Sequence, residues 1–146
     1  MNMTSNPAPE IARTLETWHR IVAAKDATDL PSILADAVLF RSPAFFKPYP
    51  GKEATLLVLS TVLTVFEDFV YHREFLSLDG RSAILEFSAR VGDKQLKGID
   101  MFRFDAAGLI AEMEVMIRPG NALMALGQTM AERAGPKLKA LLAQTS

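Results

Sequence analysis

The stretch KGIDMFRFDAAGLIAEMEVMIRP, residues 97–119, predicts two neighbouring β-strands joined by a tight turn. The turn is DAAG, residues 105–108, because Asp and Gly favour the backbone angles of hairpin turns. Side chains alternate between the two faces of a strand. One face of the first strand carries Leu96, Gly98, Asp100, Phe102 and Phe104. The apolar face of the second strand carries Leu109, Ala111, Met113, Val115 and Ile117.

Asp100 is the only ionisable side chain on these two faces. A carboxylate on an apolar face is costly unless it is neutral or well hydrogen-bonded. Desolvation raises the pKa of such a group, and the neutral form can donate a hydrogen bond to a carbonyl or enolate oxygen. We therefore take Asp100 as the candidate catalytic residue. The alternative is a structural Asp bonded to the Trp18 indole or to backbone amides.

The composition predicts one folded domain over residues 1–146, because 49% of the residues are hydrophobic. A net charge of -1 argues against a nucleic-acid surface, and the absence of cysteine excludes thiol chemistry. The two histidines form no metal-binding motif, and no nucleotide-binding motif occurs, so we predict no metal and no cofactor. Neither a signal peptide nor a membrane span is predicted, which makes the cytoplasm the expected location.

The order of predicted elements indicates an α+β fold. Helices are expected at residues 7–25, 31–35, 51–67 and 122–133, and further strands at residues 36–42, 69–78 and 83–91. Residues 51–67 also fit a strand by composition, but their length and leucine spacing favour a helix. Residues 1–6 are expected to be a flexible tail. Residues 121–146 form a C-terminal helical extension, which Gly135-Pro136 is expected to break.

This order and these residues resemble the nuclear-transport-factor-like superfamily, which includes SnoaL-like polyketide cyclases and ketosteroid isomerases. The resemblance covers roughly Leu15–Ile117 and is strongest at GIDMFRF, residues 98–104, followed by Gly108. It implies a single SnoaL-like domain with a cystatin-like fold. A cone-shaped, curved antiparallel sheet would wrap around the N-terminal helices, with an extra C-terminal helix.

The resemblance also implies roles for three residues of the isomerase site. Asp100 matches the protonated Asp donor of ketosteroid isomerase. Ser42 stands where that enzyme has its base Asp, and Trp18 stands where it has a Tyr. A serine without a partner base cannot shuttle a proton at neutral pH, and an indole donates but does not accept. The specific isomerase mechanism is therefore not expected. What the resemblance still implies is a cavity with one acid on its wall.

A cavity of this kind would bind a small hydrophobic molecule, such as a polycyclic, polyketide-like or steroid-like compound. Its predicted lining is Trp18, Phe40, Ser42, Phe45, Phe46, Tyr49, Phe87, Phe102 and Met113. For each of these residues alone, simple core packing is the plainer interpretation. Tyr49, Tyr71, His19 and His72 are candidate polar partners of a ligand, for which surface or packed roles are the better interpretation.

Two functions stay open at this point. One is a cyclase or isomerase that uses Asp100 as acid/base or oxyanion donor, and the other is a non-catalytic ligand-binding or interaction module. The charged residues Glu112, Glu114, Arg103, Lys97, Glu86 and Arg90 are expected to form a cross-strand ladder on the outer face of the sheet. That face, with Met116, is the expected homodimer interface.

Overall fold

The computed structural model describes residues 6–144, so most of the predicted flexible tail at residues 1–6 lies outside the described residues, as do residues 145–146. The helices are α1 (Pro9–Ala24), α2 (Lys52–Val65) and α3 (Gly120–Gln144), and a 3-10 helix covers Leu30–Ile33. The strands are β1 (Leu34–Arg41), β2 (Tyr49–Pro50), β3 (Glu67–Leu76), β4 (Ser82–Val91), β5 (Lys94–Phe104) and β6 (Ile110–Arg118). No helix within residues 6–144 is long and apolar enough to cross a membrane.

The strands form one curved, unclosed sheet in the order β2-β1-β6-β5-β4-β3. All neighbouring strands are antiparallel except β1 and β6, which are parallel. Apolar side chains of the helices pack with one face of this sheet into a single core, and we call that face the inner face. The predicted α+β class, the curved sheet and the additional C-terminal helix are confirmed.

Strand β5 has the predicted alternation, because every second side chain from Leu96 to Phe104 is buried on the inner face. Strand β6 differs from the prediction at its start. There Ile110 is buried, whereas Leu109 and Ala111 are only half-buried. The reason is a register shift in the β5–β6 pairing between Arg103 and Phe104, since one extra residue exchanges the two faces of a strand.

Glycine at position 98 is required by the packing of three strands. A Cβ atom there would lie 2.5 Å from the Met116 carbonyl oxygen and 2.7 Å from the Phe87 ring. Both distances are far below van der Waals contact, and the carbonyl belongs to the backbone of a paired strand. Only a residue without a side chain therefore allows β6 and Phe87 to approach β5 this closely.

The helices depart most from the sequence-based boundaries at the start of α1 and in the middle of α3. Helix α1 begins at Pro9 after Ala8, two residues later than the predicted start at residue 7. Helix α3 runs without interruption through Gly135-Pro136, where a break was predicted. Proline removes one backbone N–H from the helix, but buried Ala134 before it and half-buried Leu138 after it pack against the protein and hold the helix together. Residues 52–65 are helical, so the strand alternative for this region is wrong.

The outer face of the sheet carries the predicted charge ladder. Arg41 Nε lies 2.6 Å from Glu112 Oε1, and Glu86 pairs with Arg73 at 2.6 Å and with Lys97 at 3.2 Å. The hydrogen bond from Arg73, reinforced by Lys97, lowers the pKa of Glu86 to about 2. These pairs satisfy the charged groups of a solvent-facing sheet surface and need no catalytic role.

Candidate ligand-binding cavity

A cavity of about 350 Å³ lies between the inner face of the sheet and the helices. This volume is within the range of typical small-molecule sites. Its wall is almost entirely apolar, and much of it is formed by α2 and α3. Those two helices contribute Val58, Leu59, Val62, Leu63, Leu123, Leu126, Met130, Ala134, Leu138 and Leu142. A ligand that fills this space must therefore be mostly hydrophobic.

A chain of two hydrogen bonds connects the polar side chains on the wall. The Trp18 indole Nε1 donates to the Tyr71 hydroxyl at 2.8 Å, and the Tyr71 hydroxyl donates to Asp100 Oδ2 at 2.5 Å. The direction is fixed, because an indole N–H can only donate. The Tyr71 hydroxyl accepts from Trp18 and so directs its own proton toward Asp100.

Burial raises the pKa of Asp100 to about 7, while the hydrogen bond from Tyr71 opposes that rise. Asp100 is only 5% exposed. The pKa of Tyr71 is raised well above its ordinary value, first by burial and then by the neighbouring carboxylate. Near neutral pH, Asp100 can therefore gain or lose a proton, whereas Tyr71 keeps its proton.

Strand register brings Tyr71 and Asp100 together across the intervening strand β4. Phe87 of β4 is paired with Tyr71 on one side and with Gly98 on the other, and Leu85 is paired with Asp100. The three strands thus place both polar side chains on the inner face, within reach of each other. Trp18 approaches from α1, where its ring meets Phe102 edge-on with centroids 5.3 Å apart.

The cavity includes most of the predicted lining residues but not all of them. Trp18, Phe40, Ser42, Phe45, Tyr49 and Met113 line it together with Asp100. Phe46 does not, because its side chain is 99% exposed. Phe87 and Phe102 do not line it either, because both are buried in the core, where Phe102 supports Trp18. Ser42 Oγ accepts a hydrogen bond from the Ala44 amide, which shapes the loop after β1.

Tyr71 is the principal site residue whose contact with Asp100 was not predicted from the sequence. It is packed on the inner face of the sheet, where its hydroxyl donates a hydrogen bond to the buried carboxyl of Asp100. The alternation of Phe69 and Tyr71 along β3 is the available signal, but the register shift between Tyr71 and Glu74 hides from the sequence which residue of β4 Tyr71 pairs with. The two histidines lie elsewhere, with His19 paired to Glu74 and His72 to Ser88.

The cavity also includes residues of α3, together with two lysines that the sequence analysis did not connect with it. Lys25 follows the last residue of α1, and Lys139 lies in the last third of α3. Tyr49 lines the cavity as predicted for a lining residue, and burial raises the pKa of its phenol. The contribution of α3 could not be read from the sequence, because helix packing depends on distant contacts.

The chain matches the family model described as SnoaL-like domain over residues 15–113. A crystal structure of a steroid delta-isomerase from Pseudomonas aeruginosa is 49% identical in sequence, with a TM-score of 0.86. That alignment covers 96% of this chain and 99% of the isomerase chain. Among curated proteins, none matches the chain.

Two further structures show the same architecture. An uncharacterised protein with a cystatin-like fold from Silicibacter pomeroyi is 31% identical, with a TM-score of 0.80 and coverage of 94% of this chain and 93% of that one. The epoxide hydrolase/cyclase-like enzyme SalBIII is 15% identical, with a TM-score of 0.64 over 77% of this chain and 93% of its own, and shows the fold alone. The chain therefore belongs to the SnoaL-like domain family within the nuclear-transport-factor-like superfamily.

Proposed function

We propose that the protein is an isomerase- or cyclase-type enzyme that binds a small, largely apolar ketone and moves a proton on it through Asp100. One observation carries this proposal. A buried carboxyl with a pKa of about 7 lies on the wall of an otherwise apolar cavity. A proton-transfer group works best when its pKa lies near the operating pH, because both protonation states are then populated.

In the proposed reaction, ionised Asp100 takes a proton from the carbon next to the ketone carbonyl. The electron pair of the broken C–H bond moves into the carbonyl group and gives an enolate. Protonated Asp100 then returns the proton to a different carbon of the same molecule, which shifts a double bond. Among the described residues that line the cavity, Asp100 is the only carboxyl, so it would perform both steps.

The enolate oxygen needs a hydrogen-bond donor, because negative charge develops there away from water. We propose that Tyr71 supplies it. Its hydroxyl lies on the cavity wall, and the hydrogen bond from Trp18 makes it a stronger donor. Once Asp100 is protonated it no longer attracts the Tyr71 proton as a carboxylate does, and the hydroxyl can donate to the enolate instead.

The name of the 49% identical relative supports a choice of substrate class. A steroid delta-isomerase acts on a steroid, and a steroid ketone has the apolar body and single polar oxygen that this cavity would accept. We therefore propose a ketosteroid, or a polycyclic ketone of similar shape, as the substrate class.

The experiment is to incubate the protein with a β,γ-unsaturated ketosteroid and to follow the absorbance of the conjugated product. We expect Asp100→Asn to lower kcat by at least about a hundredfold, because it keeps the shape of the side chain and removes the acid. Asp36→Asn is the matched control, since that carboxylate is fully exposed on β1 and should leave the rate unchanged. Turnover that survives in D100N would show that the assigned proton carrier is wrong.

A non-catalytic ligand-binding role is the second candidate. It is favoured by the absence of a second carboxyl from the described cavity wall, and by the engagement of Ser42 Oγ with the Ala44 amide. Protonated Asp100 would then donate a hydrogen bond to an oxygen of the ligand. In that case the steroid binds and is recovered without isomerisation by chromatography, and D100N weakens binding only.

We also propose that two copies pair through the outer face of the sheet. Three large apolar side chains on that side, those of Val70, Phe75 and Met116, are each about half-exposed. Together they leave apolar surface on the solvent-facing side of the sheet, which a second copy could cover. The charge ladder around Glu86 and Glu112 would form the polar part of the contact.

A further inference from the structure

We propose that Lys25 and Lys139 select ligands whose apolar body ends in an anionic group such as a carboxylate. The inference rests on the proposed function, because it assigns the other end of the same ligand, the ketone, to Asp100. Both lysines line the cavity and are exposed, whereas Asp100 is buried. Positive charge is therefore present where the cavity meets solvent, and the acid lies deeper.

The two lysines have no acidic partner among the residues that the structure describes. Neither ammonium group lies within 4.0 Å of a carboxylate there. By contrast, three lysines that do not line this cavity have a carboxylate nearby. The distances are 3.5 Å for Lys52, 3.8 Å for Lys94 and 3.2 Å for Lys97. The cavity therefore has two cations available to an incoming anion, whereas its one carboxyl among the described residues is the buried Asp100.

Lys25 is held in place by the backbone around it. It adopts a left-handed conformation with φ of 51° as it ends α1, and its Nζ donates to the Phe66 carbonyl oxygen at 3.0 Å. An ammonium group has three N–H donors, so this bond leaves others for a ligand. The side chain spans the space between the ends of α1 and α2, beside the wall residues Val22 and Phe66.

Lys139 is positioned by the anchoring of α3. Six residues earlier, Arg133 donates to the Thr64 carbonyl oxygen at 3.1 Å and to the Thr64 hydroxyl at 3.0 Å, and these bonds attach α3 to the end of α2. Leu138 beside it also lines the cavity. Lys137, two residues before Lys139, is exposed and does not line the cavity, so it is a matched control on the same helix.

The size of the effect follows from the exposure of the two ammonium groups. Exposed ion pairs contribute modestly, so each lysine should improve affinity for the anion by about twofold to fivefold. The two together should give a preference of about tenfold over a neutral ligand of the same shape. Added salt should reduce this preference, because it screens exposed charges.

The test compares testosterone hemisuccinate, which has a ketone at one end and a carboxylate at the other, with its methyl ester. Dissociation constants are measured by calorimetry at low ionic strength for the wild type, Lys25→Gln, Lys139→Gln, the double variant and Lys137→Gln. We expect the wild type to bind the acid about tenfold more tightly than the ester. Each single variant should lose part of that preference, the double variant nearly all of it, and K137Q none.

The outcomes separate this inference from the proposed function. Equal affinities of the wild type for acid and ester, or equal behaviour of K139Q and K137Q, would overturn the role of the lysines while leaving the role of Asp100 in place. If neither steroid binds, the ligand class of the proposed function is wrong and this inference is wrong with it. If the acid preference is present but D100N retains turnover, only the proposed proton transfer is overturned.

Discussion

Asp100 is subject to two opposing influences from its surroundings. Burial disfavours its charged form and raises its pKa, while the hydrogen bond from Tyr71 favours the charged form. The balance places its pKa at about 7, where a carboxyl can both accept and release a proton. Trp18 affects this balance indirectly, because its N–H fixes which way the Tyr71 hydroxyl points.

Removing the Tyr71 hydroxyl should raise the pKa of Asp100 above about 7. The hydrogen bond from Tyr71 stabilises the carboxylate. Its loss in Tyr71→Phe should therefore raise the pKa of Asp100 by on the order of one unit. At pH 7 the ionised fraction of Asp100 then falls, and a step that needs the carboxylate slows. The measurement is a carboxyl-carbon NMR titration, in which D100N identifies the signal of Asp100.

The control for that titration is Tyr49→Phe, which also removes a phenol from the cavity wall. Tyr49 makes no hydrogen bond to Asp100 among the described contacts, so the titration midpoint should not move. An unchanged or lowered midpoint in Y71F would contradict the assigned hydrogen bond.

The sequence was sufficient to place Asp100 but not to find its partner. Alternation along β5 depends only on neighbouring residues, which is why the face shared by Leu96, Asp100 and Phe102 could be predicted. Tyr71 meets Asp100 through the register of three strands. Irregular register between Tyr71 and Glu74 adds to the difficulty, since a single-sequence pattern does not reveal a bulge.

At the scale of elements, β5 and α3 differ in how tightly they constrain their glycines. Gly98 of β5 has no space for a methyl group, because Met116 and Phe87 lie against it. Gly127 of α3 has open space, with nothing within 4 Å of the position a Cβ would take. Strand β5 is therefore enclosed by its neighbours, whereas this part of α3 faces the cavity.

This difference predicts opposite effects of the same substitution. Gly98→Ala should destabilise the fold by about 1–3 kcal/mol, because the added methyl group displaces packed neighbours. Gly127→Ala should stabilise it by about 0.5–1 kcal/mol, because alanine is a better helix former. Urea unfolding midpoints of the two variants and the wild type provide the comparison. A G98A midpoint equal to that of the wild type would mean that β6 and β5 are not packed as closely as described.

Helix α3 also shows where local sequence signals are overridden. Gly135-Pro136 predicts a helix end from local chemistry alone, and the helix nevertheless continues to Gln144. The burial of Ala134 and the packing of Leu138 against the core stabilise the helix beyond this point. Such contacts link residues far apart in the chain, so spacing along the sequence does not contain them.

At the scale of the whole molecule, the fold separates two surfaces with different tasks. The inner face of the sheet closes on the helices and leaves the cavity, and the outer face is charged with half-exposed apolar side chains. The general architecture could be predicted because periodicity, turns and the GIDMFRF stretch all indicate it. The size of the cavity could not, because it depends on how closely α2 and α3 pack.

If the outer face joins two copies, a charge placed within it should separate them. Met116 is 46% exposed on β6, and we expect Met116→Lys to convert a dimer into a monomer of 16.0 kDa in sedimentation velocity runs. Met124 is 69% exposed on α3 and serves as the control, since Met124→Lys should remain dimeric. A wild-type protein that sediments as a monomer at high concentration would exclude the proposed pairing.

Trp18 is the only tryptophan of the chain, and it lies 3% exposed on the cavity wall with its N–H bonded to Tyr71. All indole emission of this protein therefore comes from one position, beside the space that a guest molecule would fill. Fluorescence intensity and wavelength should change as that space is filled, without any dye or label. The intrinsic fluorescence of the protein therefore reports directly whether the cavity is occupied.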